Sequence, residues 1–405
     1  MKMTLKNQTS SSLTRHASFW SSLAKGLLTI AFGLSICAFP HAGQASPNEE
    51  RISIMTYNAE NLFDTQHDQG KNDYTYLPLK DKNTAEAKSA CENLKNPYYR
   101  KECLELDWND DVYNEKLHRV ADVIQQINNG RGPDIQVLVE VENRAVLEKL
   151  RSEYLPNSNY KTLAFVEGPD HRGIDPAVLS RLPEWDSPRM HLIPFETKTP
   201  SETQIAKSTR GILEARLILP DGQKISVFAL HFPSQANPSK FRKQAANRLN
   251  RLLQELPSDV IGIAAGDFNI TSDEDQKLGL FKKTLKSKWL VSHQVGCESC
   301  RGTHYYTPGK RWSFLDAILF SRNMDFYFTQ KLLNETKLRP KKPSPAQWVL
   351  DAESIRVANS SSYQINRFGT PARFNFGSPI GVSDHWPIYA EIVRLPKSES
   401  SSSTN

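Results

Sequence analysis

The segment GVSDHWPIYAEI (residues 381–392) places an acid and an imidazole side by side, because Asp384 and His385 stand at the entrance of an apolar, alternating run. A neighbouring carboxylate can hold an imidazole in one tautomer, raise its basicity and let it transfer protons. The pair therefore predicts acid–base chemistry at the start of a strand.

Polar residues also occur within the other segments whose sequences are typical of strands. These segments are RISIMTYNAENLF (51–63), DIQVLVEVEN (134–143), KISVFALHFPS (224–234), DVIGIAAGDFNIT (259–271) and WSFLDAILFS (312–321). The polar residues that they carry are Asn58, Glu140, His231, Asp267, Asn269 and Asp316. Any one of them has an ordinary alternative as a turn cap or a satisfied buried hydrogen bond. An unpaired buried charge is costly, so their recurrence predicts one shared, functional mouth on a strand-rich scaffold.

The donor types in this set favour a particular class of metal. Carboxylates and an asparagine amide, without paired thiolates, suit Mg²⁺, with Mn²⁺ or Ca²⁺ as alternatives, rather than zinc. Together with an imidazole beside an acid, they predict metal-assisted attack of water on a phosphate ester.

Helical patterns lie between the strands. From Tyr113 onward one face carries Leu117, Val120, Ala121, Ile124 and Ile127, and Gly130 can end the helix. A second helix opens at Asn237-Pro238 with Phe241, Ala245, Leu249, Leu252, Leu253 and Leu256 on its apolar side. The basic residues predicted on its outer side are Lys240, Arg242, Lys243, Arg248 and Arg251.

The composition, 38% hydrophobic and 24% charged over 405 residues, is typical of a globular protein with one large α/β domain or two modest ones. Segment 64–111 is polar and aperiodic, which predicts a long surface insertion. Residues 397–405 form a Ser-rich tail that we expect to be disordered.

Residues 1–45 have the pattern of a secretory signal. Four basic residues without an acid precede the apolar run GLLTIAFGLSICAF, and small residues follow, which predicts cleavage after Ala45 and an exported protein, periplasmic or secreted. The run is shorter than the roughly 20 residues of a spanning helix, which disfavours a membrane anchor. Ile36 before Cys37 disfavours a lipoprotein. Without these four charges the net charge falls from +6 to +2, so only local patches can argue for a polyanionic partner.

Removal of Cys37 leaves an even number of cysteines. In an exported chain this favours disulfides, and the simplest pairing is Cys91 with Cys103 and Cys297 with Cys300. A redox or zinc element at the Cys-x-x-Cys pair is the alternative.

The motifs TYNAENLF, VLVEVEN, ALHFPS, AAGDFN, FLDAILFS and GVSDHWP occur in the order of those of the endonuclease/exonuclease/phosphatase superfamily. The resemblance spans residues 52–392 and includes deoxyribonuclease I-like enzymes. It implies a four-layer α/β sandwich, in which two packed, mostly antiparallel sheets are flanked by helices. The corresponding domain would cover residues 46–396.

The resemblance also implies a role for each motif residue. Glu140 resembles the principal metal ligand, although Val139 replaces the family's glutamine. Asn58, Asp384 and Glu60 are the further candidates for the metal shell.

The catalytic positions follow from the same motifs. His385 resembles the histidine that contacts the scissile phosphate, and Asp316 resembles the carboxylate that orients it. Asp267 and Asn269 resemble the pair that aligns water and binds phosphate oxygen. His231 occupies the position of a second histidine in deoxyribonucleases.

Four further residues are candidates for substrate binding. Asp175 could support His231, or be a turn residue before Pro176. Arg210 could contact phosphate, or be a solvated surface group. Arg367 and Arg373, interleaved with Phe368 and Phe374 before the Ser-Asp-His motif, could bind a nucleic acid. The basic helix after His231 and the run KLRPKKPSP (337–345) are weaker candidates for the same role.

The leading hypothesis is an exported, monomeric, metal-dependent endonuclease acting on DNA and, as an extension, RNA, without stable membrane insertion. A sphingomyelinase-like phospholipase C or a small-molecule phosphatase is the alternative, with HYYTPGKRW (304–312) as the candidate membrane-binding hairpin. A binding protein with a decayed site is disfavoured, because every main position carries an acceptable residue.

Overall fold

A computed structural model describes residues 50–327 and 348–395. The predicted signal, the run 337–345 and the tail 397–405 lie outside these residues, so those predictions stay predictions, as does the domain range 46–396. Within the described ranges, no helix combines the length and the apolar character that crossing a membrane requires.

The described residues form fifteen strands. They are β1 (Arg51–Leu62), β2 (Ile135–Val141), β3 (Thr162–Ala164), β4 (Asp175–Ser180), β5 (Glu184–His191), β6 (Ile212–Ile218), β7 (Lys224–His231), β8 (Ile261–Asp267), β9 (Trp289–Val291), β10 (His304–Tyr306), β11 (Arg311–Ser313), β12 (Asp316–Ser321), β13 (Phe326–Tyr327), β14 (Trp348–Val357) and β15 (Ile388–Arg394).

The helices of the same ranges are α1 (Ala85–Glu92), α2 (Pro97–Glu105), α3 (Asp110–Gln125), α4 (Arg144–Lys149), α5 (Pro200–Lys207), α6 (Ser239–Glu255), α7 (Ser272–Leu278) and α8 (Ser292–Val295). Short 3₁₀ or π turns lie at Tyr74–Tyr76, Asp81–Asn83, Leu150–Tyr154, Pro156–Ser158 and Leu280–Leu285.

Two large sheets and one hairpin contain all of these strands. The first sheet has the order β13-β14-β15-β1-β2-β4-β3, the second has the order β5-β6-β7-β8-β12-β9, and β10 pairs with β11. The pairs β1–β2, β13–β14 and β7–β8 are parallel, and the other neighbours are antiparallel.

The alternation of β1 shows how the layers are built. Ile52 and Ile54 face a core shared with the second sheet, whereas Met55 and Tyr57 face α3. The outer face of the second sheet packs on α6 in the same way. Because successive side chains of a strand point to opposite faces, each sheet buries both of its faces. The predicted four-layer α/β sandwich with two mostly antiparallel sheets is confirmed.

Both predicted helices form. Helix α3 begins at Asp110, earlier than predicted, because the side chain of Asn109 accepts hydrogen bonds from the amides of Asp111 and Val112. Helix α6 begins directly after Pro238. The prediction that all five basic residues of α6 lie outside was wrong for Arg242, which is only 2% exposed.

The segment 64–111 is more ordered than its aperiodic sequence predicts. It contains α1 and α2, which begin after the capping side chains of Thr84 and Asn96. Disulfides join Cys91 to Cys103, and Cys297 to Cys300. Both predicted pairings are confirmed, and the first one cross-links the two short helices.

Gly266 is a point at which the fold admits no side chain. It pairs with Leu230 across β7 and β8, has a φ of +147°, and a Cβ there would lie 1.9 Å from the Leu230 carbonyl oxygen. Only glycine allows the two backbones to approach in this way.

We expect Gly266→Ala to lower the free energy of unfolding by about 3 kcal/mol or more, since it adds overpacking to an unfavourable φ. Chemical denaturation measures the loss. Gly222→Ala is the control, because Gly222 has a φ of +88° with open space around it. Equal losses in the two variants would refute the proposed clash.

Candidate active site

Strand register brings three of the predicted residues together. His231 at the end of β7 pairs with Asp267 at the end of β8, and Asp267 pairs with Asp316 at the start of β12. Residues opposite each other on adjacent strands project from the same face. The second sheet therefore presents an imidazole and two carboxylates side by side at one edge.

His385 approaches this row from the first sheet. Its Nδ1 lies 2.7 Å from Asp316 Oδ2, and both residues are buried. Burial alone would lower the pKa of His385, but the charges of Asp316, Asp384 and Asp267 outweigh it and hold the pKa well above its usual value. Nδ1–H thus donates to Asp316, the raised pKa favours a second proton on Nε2, and Nε2 lies 4.0 Å from Asp267 Oδ2.

Asp267 is the centre of the cluster. Its Oδ1 accepts the Asn269 amide at 2.7 Å, and its Oδ2 accepts from Asn58 Nδ2 at 3.2 Å. Burial raises the pKa of Asp267 to about 7, although the charge of His385 opposes the shift. Asn269 Nδ2 donates to the carbonyl of Phe232, so this side chain ties the loop after β8 to the loop after β7.

His231 has the opposite electrostatic character to His385. Its Nε2 lies 3.6 Å from Asp267 Oδ2 and 3.7 Å from Glu140 Oε1. Burial, reinforced by the charges of nearby arginines, lowers the pKa of His231 well below its usual value. A neutral and a charged imidazole therefore flank the same carboxylate.

The ends of β1 and β2 supply the remaining oxygen donors. Glu140 Oε1 accepts from Asn58 Nδ2 at 3.3 Å, and Glu140 Oε2 accepts the Asn61 amide at 3.0 Å. Glu60 and Glu140 have φ values of +51° and +63°. Such left-handed conformations are unfavourable for residues other than glycine and often mark functional sites.

One arginine pairs with two of the acidic residues of the site. Arg373 lies 2.6 Å from Glu60 and 2.5 Å from Asp384. Burial and the charge of Asp384 raise the pKa of Glu60 to about 8. Burial would raise the pKa of Asp384 as well, but His385 and Arg373 outweigh it and lower that pKa.

The predicted metal ligands form a fitting donor set for a hard cation. Glu140, Glu60 and Asp384 offer carboxylate oxygens, as Mg²⁺ prefers, whereas Asn58 directs its Nδ2 at Glu140 and accepts the Glu60 amide with its Oδ1. The carboxylate of Glu140 is 16% exposed, so it is accessible from solvent, and it is not paired with Arg373. The four residues are neighbours in the structure, and Glu140 is the carboxylate among them that does not pair with Arg373. Metal binding by this set stays a prediction.

Two of the substrate-binding predictions were wrong in their geometry. Arg210 is neither a solvated group nor free for phosphate, because it is 8% exposed and donates to buried Asp170 at 2.8 Å. Asp175 accepts the Gly168 amide at 2.8 Å rather than supporting His231. Arg367 is exposed over the ring of Phe368, whereas Arg373 lies within the site.

Three residues at the site are not among those to which the sequence motifs assign a role. Lys116 of α3 is fully buried, donates to the Val382 carbonyl at 2.6 Å, and has a pKa lowered by burial to about 8. His304 lies with its ring 5.0 Å from that of His385. Arg172 is partly exposed and close enough to lower the pKa of His231. Of these three residues, only Lys116 could have been found from the sequence. It lies three residues after Tyr113 on the apolar face of its helix, where a lysine is unusual.

A buried ion pair supports the loop that follows His231 and the loop that carries Asn269. Arg242 forms two hydrogen bonds of 2.7 Å with Glu274 and donates to the carbonyl of Ser234. Glu274 also accepts from Gln235, which donates to the carbonyl of Asn269. Arg242 is thus a structural clamp rather than part of a basic surface.

A family profile decides the relationship of the chain to known proteins. The profile described as "Endonuclease/Exonuclease/phosphatase family" matches residues 96–394, which is most of the chain. The chain belongs to the endonuclease/exonuclease/phosphatase family. Family membership indicates a hydrolase that acts on phosphoester bonds. Asn58 and Glu60 precede the matched residues, and the fold brings them to the site.

Comparison with solved structures gives distant similarities. TDP2 of D. rerio complexed with a single-strand DNA product is 18% identical, with 84% of this chain and 98% of that chain covered and a TM-score of 0.44. An endonuclease/exonuclease/phosphatase from Beutenbergia cavernae is 15% identical, with 85% and 72% covered and a TM-score of 0.48. Beta toxin from Staphylococcus aureus is 14% identical, with 84% and 99% covered and a TM-score of 0.43. A comparison with curated proteins finds no match.

We expect Arg242→Met to lower the free energy of unfolding by about 3–5 kcal/mol, because it leaves Glu274 buried without its charged partner. Arg242→Met combined with Glu274→Leu should recover most of this loss. Chemical denaturation of the single and double variants measures the coupling.

Arg248→Met on the same helix is the control, since Arg248 pairs with the exposed Glu255 and such pairs contribute at most about 1 kcal/mol. If Arg242→Met lowers the free energy of unfolding by no more than the control does, the role of Arg242 as a structural clamp is contradicted.

Proposed function

We propose that this member of the endonuclease/exonuclease/phosphatase family is a divalent-metal-dependent nuclease that cleaves phosphodiester bonds within DNA. The observation that carries the proposal is the relation between the two sheets at His385. Its Nδ1 is held by Asp316 at 2.7 Å, while Nε2 lies 4.0 Å from Asp267. That separation exceeds a direct hydrogen bond, so a single oxygen atom of a bound phosphate group can contact both the proton donor and the proton acceptor.

In the proposed reaction, Asp267 orients a water molecule and accepts its proton as the water oxygen attacks phosphorus. The phosphorus–oxygen bond to the leaving group then breaks, and His385 donates its Nε2 proton to the leaving oxygen. Asp316 keeps His385 in the tautomer and charge state that this transfer needs. His231 supplies a neutral polar contact beside Asp267, and Asn269 holds the loop in place.

The cofactor of the proposed reaction is Mg²⁺, with Mn²⁺ or Ca²⁺ as substitutes. Glu140 would hold it, with Glu60 and Asp384 as further oxygen donors, and Asn58 would join them after its amide group turns its oxygen toward the ion. When bound, such an ion polarises a phosphoryl oxygen and stabilises negative charge. Lys116 lies close enough to Glu60, Asp384 and Glu140 to balance part of their charge within the protein.

Local surface features support a nucleic-acid substrate. Arg367 and Phe368 are exposed together, with the guanidinium 4.7 Å from the ring centroid, and Phe368 is 74% exposed. Arg172 is partly exposed and close enough to His231 to lower its pKa. Cationic and aromatic groups of this kind bind the phosphates and bases of single strands. We propose further that the protein is exported after removal of residues 1–45 and acts as a monomer.

We expect the purified protein to nick supercoiled plasmid in the presence of Mg²⁺ and to lose this activity with EDTA. His385→Ala should lower the rate by about 10²–10⁴-fold, since it removes the proton donor and the positive charge. Gel electrophoresis of the plasmid measures nicking. His118→Ala, at an exposed position of α3, should leave the rate unchanged.

A folded protein that fails to cleave plasmid with Mg²⁺, Mn²⁺ and Ca²⁺ would contradict the DNA endonuclease proposal. Release of choline phosphate from sphingomyelin vesicles, or of phosphate from small esters, would then identify the substrate. Tyr306 is the specific observation behind the lipid alternative, because it is 56% exposed on the hairpin that carries His304.

A further inference from the structure

Two imidazoles and a carboxylate converge at the base of the β10–β11 hairpin. One ligand atom from each of His304, Asp384 and His385 can be chosen so that all three lie within 4.8 Å of one another. The two histidines also form an isolated antiparallel β-bridge, which fixes their backbones side by side. The convergence is therefore built by the fold rather than by chance contact of mobile surface groups.

The local hydrogen bonds leave Nε2 of His385 and Oδ1 of Asp384 available to bind a metal ion. His385 uses Nδ1 for Asp316, so Nε2 faces Asp384 Oδ1 at 3.9 Å. Asp384 uses its other oxygen, Oδ2, for Arg373. Metal-binding histidines commonly donate their second nitrogen to a carboxylate, as His385 does to Asp316.

Neighbouring contacts hold His304 in place. The Thr303 side chain accepts the Asp316 amide at 3.1 Å, and the Thr303 carbonyl accepts the Trp386 amide at 2.8 Å. Trp312 of the hairpin packs against Trp386 with ring centroids 5.0 Å apart. The hairpin thus presents His304 to the segment that carries Asp384 and His385.

This ligand set shares Asp384 with the oxygen donors proposed for Mg²⁺ but differs from them in chemistry, because it adds two imidazoles. Two histidines and one carboxylate with an open fourth position are typical of zinc, whereas Mg²⁺ prefers oxygen alone. Zinc–ligand bonds of about 2.0–2.1 Å separate two ligands of a tetrahedral site by about 3.3 Å. The 3.9 Å between Nε2 and Oδ1 is therefore within a small side-chain movement of a zinc site.

We propose that His304, Asp384 and His385 form an inhibitory zinc site at the mouth of the active site. Coordination replaces the proton on His385 Nε2, which is released to solvent, and engages Oδ1 of Asp384. The inhibitory part rests on the proposed function, because the bound ion withdraws His385 from the substrate phosphate. Zinc binding itself does not depend on that function.

Calorimetric titration with ZnCl₂ tests the site directly, using the purified protein without a histidine tag and without reductant. The cysteines of the described chain are in disulfides and do not compete for the ion. We expect one zinc ion per chain, and at least about a tenfold weaker Kd for His304→Ala, which removes a direct ligand. Cobalt(II) should give the absorption bands of a tetrahedral site in the wild type and lose them in His304→Ala.

His118→Ala controls for binding by an exposed histidine and should bind zinc as the wild type does. Zinc binding by His304→Ala with unchanged Kd, or an octahedral cobalt spectrum in the wild type, would overturn the proposal.

Inhibition is measured separately, as plasmid nicking at fixed Mg²⁺ with increasing zinc. The zinc concentration for half inhibition is taken relative to each protein's own rate without zinc, and His304→Ala should require at least about tenfold more zinc than the wild type. Equal sensitivity of the two proteins would overturn the inhibitory role. If zinc binds as expected but neither protein nicks plasmid, the site stands and the nuclease proposal fails.

Discussion

The hydrogen bond between His385 and Asp316 is the contact on which the site depends. Asp316 begins β12 in the second sheet, and His385 precedes β15 in the first, so this bond joins the two layers of the sandwich at one edge. Both side chains are buried. Removing one partner of such a pair costs about 3–5 kcal/mol because the other charge stays buried, so the sheets have a strong preference for one relative placement here.

The packing of the sandwich sets this placement. Register on the second sheet aligns His231, Asp267 and Asp316, while the end of β1 brings Asn58 within 3.2 Å of Asp267 from the first sheet. Glu60 and Glu140, which both have a left-handed backbone conformation, add their carboxylates to the same site. The cost of gathering acids in a buried place is offset by Lys116, Arg373 and protonated His385. The result is a set of charges that is organised before any substrate arrives.

Strand periodicity made most of this arrangement predictable. A polar residue at the end of an apolar run, as at Glu140 or Asp267, is visible in one sequence because the alternation around it is strong. The burial of an arginine, in contrast, is not visible in the sequence around it. Arg242 is buried against Glu274, and Arg210 against Asp170, and both partners are distant in the chain. Helices α1 and α2 were missed because they are short and have few buried residues, leaving their caps as the main signal. His304 joins the site only through the bridge between its hairpin and His385, which no local pattern encodes.

An NMR titration of the histidine side chains, with the His385 resonance assigned by comparison with His385→Gln, tests the central contact most directly. Because the folded pKa is raised, the stabilisation from the charged pair should be complete below the unfolded value near 6.5 and lost as pH rises through the folded value. We predict that His385 titrates well above 6.5 in the wild type and that Asp316→Asn lowers this value. A wild-type pKa at or below 6.5, or one that Asp316→Asn leaves unchanged, would contradict the role assigned to the contact between the two sheets.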